Sequence, residues 1–479
     1  HNVVGLDADA KTVTVHVDGR TETISYDALV LSPGAAAVRP PIPGLDSRRV
    51  RTLRTVGDAV ALRDAVTRGA DKAVVLGAGF IGVEAAEAFA LAGLQTTLVE
   101  LAPHVLPPLE AEMAYLASTE LRRLGIDVRE RVAATEVIHG EEHDTVVLSD
   151  GTRLEADTIV LSVGVRPDTR VFEASGVACD RGAIVVDAHG RTNLPDVYAV
   201  GDAVVSVDAV TGARRPVALA GPANRAGRLV ADTIFRPATA RPMPPLLGTA
   251  VVRVGELTVA MTGANKASLD DAGISYHTLH LHPNNHAGYF PGATTIDLLV
   301  HFRDGDGLLL GAQAVGKDGA EKRIDVIATA IRGGMGVSDL MDLDLSYAPP
   351  YGSAKDPVTM AGMAGDNLLN GNLRLWYADD LEAVMADRLV LDVRSASEFR
   401  HGHVPGALQV PHTEVRQRLH EIRAAAAGRP VAVMCAAGIR SYLAHRVLAQ
   451  EGFESSMLSG GMRTLAATLG SRAPELLTR

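Results

Sequence analysis

Polar and apolar positions alternate through Thr12-Val13-Thr14-Val15-His16-Val17 and again through 21–25, with Asp18-Gly19 between the two runs. A two-residue period on both sides of Asp-Gly predicts a β-hairpin, because these residues accept the positive φ angles of a tight turn. Asp27-Ala28-Leu29-Val30-Leu31-Ser32-Pro33-Gly34 predicts a buried strand running into a turn. Pro40, Pro41, Pro43 and Gly44 then interrupt the chain. After a helix predicted over 57–68 comes Ala73-Val74-Val75-Leu76, an unbroken apolar run of the parallel-strand type. Helices over 80–91 and 110–124 and strands over 96–99 and 157–163 continue the α/β alternation. Four prolines within 237–245 mark a second break. Beyond it, strands are predicted at 248–254, 257–263, 275–281, 295–302 and 308–315, then a helix from near Ala320. The Gly- and Asn-rich stretch 361–372 reads as a linker. Leu389-Val390-Leu391-Asp392, the run 431–434 and a helix over 441–451 outline one more small α/β domain.

Composition adds bounds. The 479 residues suffice for three or four domains, and 47% apolar with 22% charged residues excludes general disorder. The net charge of −11 argues against a nucleic-acid-binding body, and no apolar run reaches membrane-spanning length. Two cysteines, Cys179 and Cys435, cannot build a disulfide framework or a cysteine zinc site, so no metal is expected and the cytoplasm is the simplest compartment.

Gly77-Ala78-Gly79-Phe80-Ile81-Gly82 fits G-x-G-x-x-G between a predicted strand and a predicted helix. Gly77 makes the turn, Gly79 lets backbone N–H groups approach a pyrophosphate, and Gly82 lets helix and strand pack. Glu100 ends the following strand. A carboxylate there accepts from a free ribose 2′-hydroxyl and repels a 2′-phosphate, and no Arg stands in 101–106. NADH is therefore expected, with NADPH the alternative.

The run from Thr192 through Leu194-Pro195-Asp196-Val197-Tyr198-Ala199-Val200 to Gly201-Asp202 resembles the second flavin motif of the pyridine nucleotide–disulfide oxidoreductases. The resemblance implies that Asp202, with Gly201, holds the ribityl and diphosphate region of FAD. Gly164-Val165-Arg166-Pro167 resembles the family's return from its NAD domain, and Tyr26 to Gly34, with Ser32 and Gly34, the chain's departure from the first FAD half. His286-Ala287-Gly288-Tyr289-Phe290-Pro291 and Tyr347-Ala348-Pro349-Pro350-Tyr351-Gly352 resemble the dimerisation domain of coenzyme A-disulfide reductases and of related persulfide and polysulfide reductases. That likeness implies that Tyr289 and Tyr347 serve the partner subunit's reactive sulfur. It further implies that Lys355 and Asn224 contact substrate and that Glu84 lies near the nicotinamide.

Cys435-Ala436-Ala437-Gly438-Ile439-Arg440-Ser441, with Asp392-Val393-Arg394 and Gly402-His403-Val404-Pro405-Gly406, resembles a single-domain rhodanese. Cys435 follows a predicted strand and precedes a helix, so backbone N–H groups, the helix N-terminus and Arg440 favour an anion and a persulfide there. Asp392, His403 and Cys179 are read as structural.

The expected fold is α/β: a flavoprotein with two dinucleotide-binding domains, an α+β dimerisation domain and a C-terminal α/β rhodanese domain. Its parts would be 1–53 and 166–240 for FAD, 54–165 for NAD, 246–365 for dimerisation and 373–479 for rhodanese. The implied activity is NADH-dependent, FAD-mediated reduction of coenzyme A disulfide, coenzyme A persulfide or polysulfide by a homodimer, with sulfane sulfur carried by Cys435. An NADH oxidase or peroxidase on the same scaffold, and a non-reducing sulfur carrier or sensor, are the alternatives. A family member opens with its own glycine motif and supplies a redox cysteine beside the flavin. This chain shows neither before residue 72, so His1 is expected not to be the native start, and poor FAD binding is expected.

Overall fold

The computed structural model describes residues 2–478, which fall into two compact units. One comprises the chain up to Gly82 together with Ala134–Gly248; the other comprises Val83–Ala133 and the chain from Thr249 onward.

In the first unit the hairpin forms as its pattern predicts. Thr12–Val17 pairs antiparallel with Arg20–Ser25 through a turn in which Asp18 and Gly19 have φ of 47° and 79°. Asn2–Asp7 adds a third strand. Val50–Arg51, Thr158–Leu161 and Lys72–Leu76 run parallel, with Thr158–Leu161 in the middle, and the last two strands are buried almost throughout. The helix Val56–Thr67 starts on a reciprocal cap between Thr55 and Asp58. The predicted buried strand at 27–34 needs correction. Only Leu29–Leu31 is extended, Leu31 alone is buried, and Val30 is 42% exposed. Its sheet has two strands among the described residues, so little covers the outward residue.

The second unit holds the parallel pair Gln95–Glu100 and Asp127–Glu130 and the helix Ala111–Arg123. A five-stranded antiparallel sheet follows in the order Ala250–Val254, Leu257–Gly263, Leu309–Gly316, Ile296–Arg303, Tyr276–Leu281. Ile296, Leu298, Val300 and Phe302 alternate onto the face that packs with Ile324 and Ile327 of the helix Ala320–Arg332. The C-terminal sheet is parallel, in the order Leu375–Trp376, Ser455–Leu458, Val431–Met434, Leu389–Asp392, Leu408–Gln409. Leu389, Leu391, Val431 and Val433 join one core, and Val390, Ala432 and Met434 another, so this sheet is covered on both faces.

The linker predicted at 361–372 is not one. Pro357–Leu369 is a helix capped by the Asp356 side chain, and Ala361, Gly362 and Gly365 are buried in it. A Cβ on Gly362 would lie 2.7 Å from the Met341 nitrogen, and one on Gly365 2.3 Å from a Val337 methyl. These glycines permit close helix packing, which composition alone renders as flexibility.

Candidate functional site

In the first unit the three motif glycines separate by role. A Cβ on Gly77 would stand 2.3 Å from the Ser162 carbonyl oxygen, and one on Gly82 would stand 1.9 Å from the Gly77 oxygen. Around Gly79 nothing lies within 4 Å of such an atom. Two positions are closed by the protein's own backbone and one faces open space, which fits a nucleotide diphosphate over the helix start.

Strand pairing gathers the proposed flavin residues of this unit. Leu29–Leu31 runs parallel to Val197–Ala199, and the Val200 N–H donates to the Leu31 oxygen. Ser32 and Gly201 therefore meet: a Cβ on Gly201 would lie 3.8 Å from the Ser32 hydroxyl. Ala35–Ala37 pairs with Val165–Pro167, where Asp168 N–H donates to Gly34 and Val38 N–H donates to Gly164. Asp202 lies in the short turn Gly201–Ala203, and Asn224 is exposed on the adjoining helix Ala220–Phe235. A cavity of ≈ 420 Å³ opens here, bounded by Gly201, Val204, Ala223, Arg225, Leu229 and Met243. A mainly apolar lining with a few polar groups, beside the Gly201–Ala203 turn, fits one end of an FAD site. Cys179 lies in the same unit, where burial pushes its thiol up from its ordinary value, as suits a structural cysteine.

In the second unit Glu84 is exposed on the helix Phe80–Leu91, while Glu87 is buried and accepts from Gly255 N–H at 3.0 Å. Glu100 ends its strand and accepts from Ala102 N–H at 2.7 Å.

Tyr289 and Tyr347 come together. Their hydroxyls are 3.3 Å apart across 58 residues of sequence, although the side chains are 77% and 49% exposed. The hydrogen bond to Tyr289 raises the Tyr347 pKa. The Tyr289 loop closes at its base where Ile296 N–H donates to Pro283 and Asn285 N–H donates to Thr294. Ala287 N–H donates to the Gly352 oxygen, joining this loop to the Tyr347 segment.

Sequence reasoning missed what holds both segments: Arg323, 2% exposed. Its guanidinium donates to the Asn285 carbonyl at 2.7 Å, to Asp356 at 2.7 Å and 3.4 Å, and to Gly319 at 3.1 Å. The one local hint was Asp356-Pro357, a helix-start signature. Lys355 is exposed beside that cap.

Cys435 is buried at the end of Val431–Met434, and the helix Ile439–Gln450 begins immediately after its loop. Gly438 N–H donates to the sulfur at 3.1 Å, and the Ser441 hydroxyl lies 3.3 Å from it. Arg440 is already engaged: it donates twice to Glu398, at 2.8 and 2.6 Å. This bond holds the Glu398 carboxyl at about 2. Asp392 is fully buried against Arg394, and His403 stacks on Phe399 at 3.7 Å.

Among the described residues, no cluster of three or more His, Cys, Asp or Glu could hold a metal ion, and no helix is long and apolar enough to cross a membrane.

Three family models match the chain: pyridine nucleotide-disulphide oxidoreductase over 1–219, the dimerisation domain of that group over 249–357, and a rhodanese-like domain over 376–468. A coenzyme A disulfide reductase of Staphylococcus haemolyticus is 33% identical over 77% of this chain and 82% of its own. An NADH oxidase of Methanocaldococcus jannaschii is 31% identical over 74% and 80%. Among solved structures, reduced Bacillus anthracis CoADR-RHD superposes with a TM-score of 0.96 at 35% identity, covering 100% of this chain and 85% of that one. An NAD-dependent persulfide reductase from A. fulgidus gives 0.90 at 34% identity, covering 97% and 84%.

Proposed function

Because the chain belongs to the pyridine nucleotide-disulphide oxidoreductase family and carries a rhodanese-like domain, we propose that it reduces coenzyme A disulfide, coenzyme A persulfide or polysulfide with NADH and carries sulfane sulfur on Cys435. The tyrosine pair carries this reading. Two phenols from distant segments, hydrogen-bonded yet largely exposed, contribute little to a core and are placed to donate to an incoming group.

Gly77, Gly79 and Gly82 would seat the NADH pyrophosphate, and Glu100 would accept from its ribose. Ser32, Gly34, Gly164, Gly201 and Asp202 would hold FAD, which when bound supplies two-electron transfer from nicotinamide to sulfur. Tyr289 and Tyr347 would stabilise and protonate the thiolate released when an S–S bond is cleaved. In a homodimer, which the dimerisation-domain match supports, they would serve the partner subunit's centre. Asn224 and Lys355 would contact the substrate.

At the rhodanese loop the transfer involves no net oxidation or reduction. The Cys435 thiolate would attack the outer sulfur of a donor as the donor's S–S bond breaks, releasing a thiolate from a persulfide or sulfite from thiosulfate. Gly438 N–H, 3.1 Å from the Cys435 sulfur, and the helix start would stabilise the attacking thiolate. The fused domain favours sulfur over oxygen as electron acceptor.

NADH oxidation by the native protein with added FAD, read anaerobically with each sulfur compound and separately in air, tests the proposal; it needs a redox cysteine beside the flavin, a place that neither Cys179 nor Cys435 takes. Turnover with coenzyme A disulfide, coenzyme A persulfide or polysulfide is expected when that cysteine is present. Turnover with oxygen and none of the three would establish the oxidase instead. Sulfur transfer by Cys435 without NADH oxidation would establish a carrier.

A further inference from the structure

The Cys435 loop and the Tyr289 loop lie in the same unit, and one short chain of contacts joins them. The helix Gly461–Leu469 sits directly behind the sulfur loop: Met462 N–H donates to the Cys435 carbonyl at 2.8 Å and Arg463 N–H to the Ala436 carbonyl at 3.0 Å. This approach requires glycine, since a Cβ on Gly461 would stand 2.5 Å from the Cys435 oxygen. The Arg463 side chain leaves the other way. It donates to both Asp297 carboxylate oxygens, at 2.6 and 2.7 Å.

Asp297 also bonds His282 at 2.7 Å, and the far nitrogen of that ring bonds Thr464 at 2.9 Å. His282 and Asp297 immediately flank the Pro283–Ile296 closure of the Tyr289 loop. The clamp is built into the interior, with His282 and Asp297 side chains 6% and 7% exposed. Burial opposes the Asp297 charge, but His282 and Arg463 outweigh it and keep the carboxyl below its usual range. A second contact runs alongside it, from Ser459 to His280 at 2.8 Å and on to Glu112 at 2.8 Å.

We infer that Asp297 is a positioning residue shared by the two centres: clamped between His282 and Arg463, it fixes the base of the Tyr289 loop and, through Arg463, the back of the Cys435 loop. This rests on the reading of Cys435 as a sulfur carrier. The rhodanese domain is then fixed to the sheet that carries the Tyr289 loop, and the same carboxylate sets the geometry at which sulfur is loaded and that of the phenol pair.

The test uses the full chain with Arg463→Met, Arg463→Lys and Asp297→Asn, and Ser459→Ala as the variant that cuts the parallel contact alone. Sulfur transfer from thiosulfate and amide hydrogen exchange of 283–296 and 435–440 are read for each. Arg463→Met and Asp297→Asn should lower the transfer kcat about ten- to a hundredfold with KM unchanged, because the loop is misplaced and the donor site is intact. Lysine should restore part of the loss, since it keeps the charge and lacks the fork. Both segments should exchange faster in these variants and not in Ser459→Ala. Wild-type kcat in an Arg463→Met or Asp297→Asn protein that melts like the wild type would overturn the inference. So would faster exchange confined to 435–440. If the wild type transfers no sulfur, the carrier reading fails by itself, and exchange at 283–296 still decides the linkage.

Discussion

Replacing Glu398 with Gln removes one charge from the rhodanese loop and leaves the shape of the side chain. In the wild type Glu398 accepts two bonds from Arg440 and two from Ser395, at 3.0 Å from its N–H and 2.8 Å from its hydroxyl. The Arg440 bond leads in lowering its pKa from 4.5 to about 2. Fully realised, a depression of that size is worth about 3 kcal/mol. The Glu398 side chain is 37% exposed and that of Arg440 29%, so solvent screening reduces the expected contribution to about 1–2 kcal/mol. The folded pKa is depressed, so this stabilisation is complete above the ordinary value of 4.5 and is lost as pH falls through that value towards about 2. The chain's single tryptophan, Trp376, is buried in the C-terminal core and makes a selective reporter. Urea unfolding followed by its fluorescence should show Glu398→Gln less stable by that amount at pH 7, with the gap closing between pH 4.5 and pH 2. A gap that persists undiminished at the acid end, or none at pH 7, would show that the Glu398–Arg440 pair does not act as described.

Cys435→Ser should abolish sulfur transfer while NADH binding is retained, since a hydroxyl cannot carry sulfane sulfur; cyanide-released thiocyanate measures it. Gly82→Ala drives a methyl into the Gly77 carbonyl and should cost about 1–3 kcal/mol of stability and weaken NADH binding by about tenfold, as calorimetry would read. Glu100→Ala removes a charged acceptor worth about 1.5–3 kcal/mol and should cut the preference for NADH over NADPH by roughly tenfold or more in competitive binding. Arg323→Met leaves the buried Asp356 carboxylate unpaired and should destabilise by about 3–5 kcal/mol in thermal or urea unfolding.

What the sequence alone determined was carried by short-range patterns. The Asp18-Gly19 hairpin, the apolar strands at 73–76 and 431–434, the three motif glycines and the Cys435 loop each depend on a few neighbouring residues. Their conformational preferences act within a turn or two, so their roles can be read from spacing. Resemblance added the two tyrosines, but nothing in their local sequence places one hydroxyl beside the other. That meeting, the Arg323 bonds to Asn285 and Asp356 and the Arg463–Asp297 pair join residues 33 to 166 positions apart, and only the packed sheets bring them within bonding distance. Gly362 and Gly365 show the same limit from the other side. Their lack of a side chain suggested a flexible linker, whereas the tertiary structure uses that lack to let Pro357–Leu369 approach the backbone at Met341 and the side chain of Val337. A glycine's meaning is set by what stands where its Cβ would be, and that is decided by the fold.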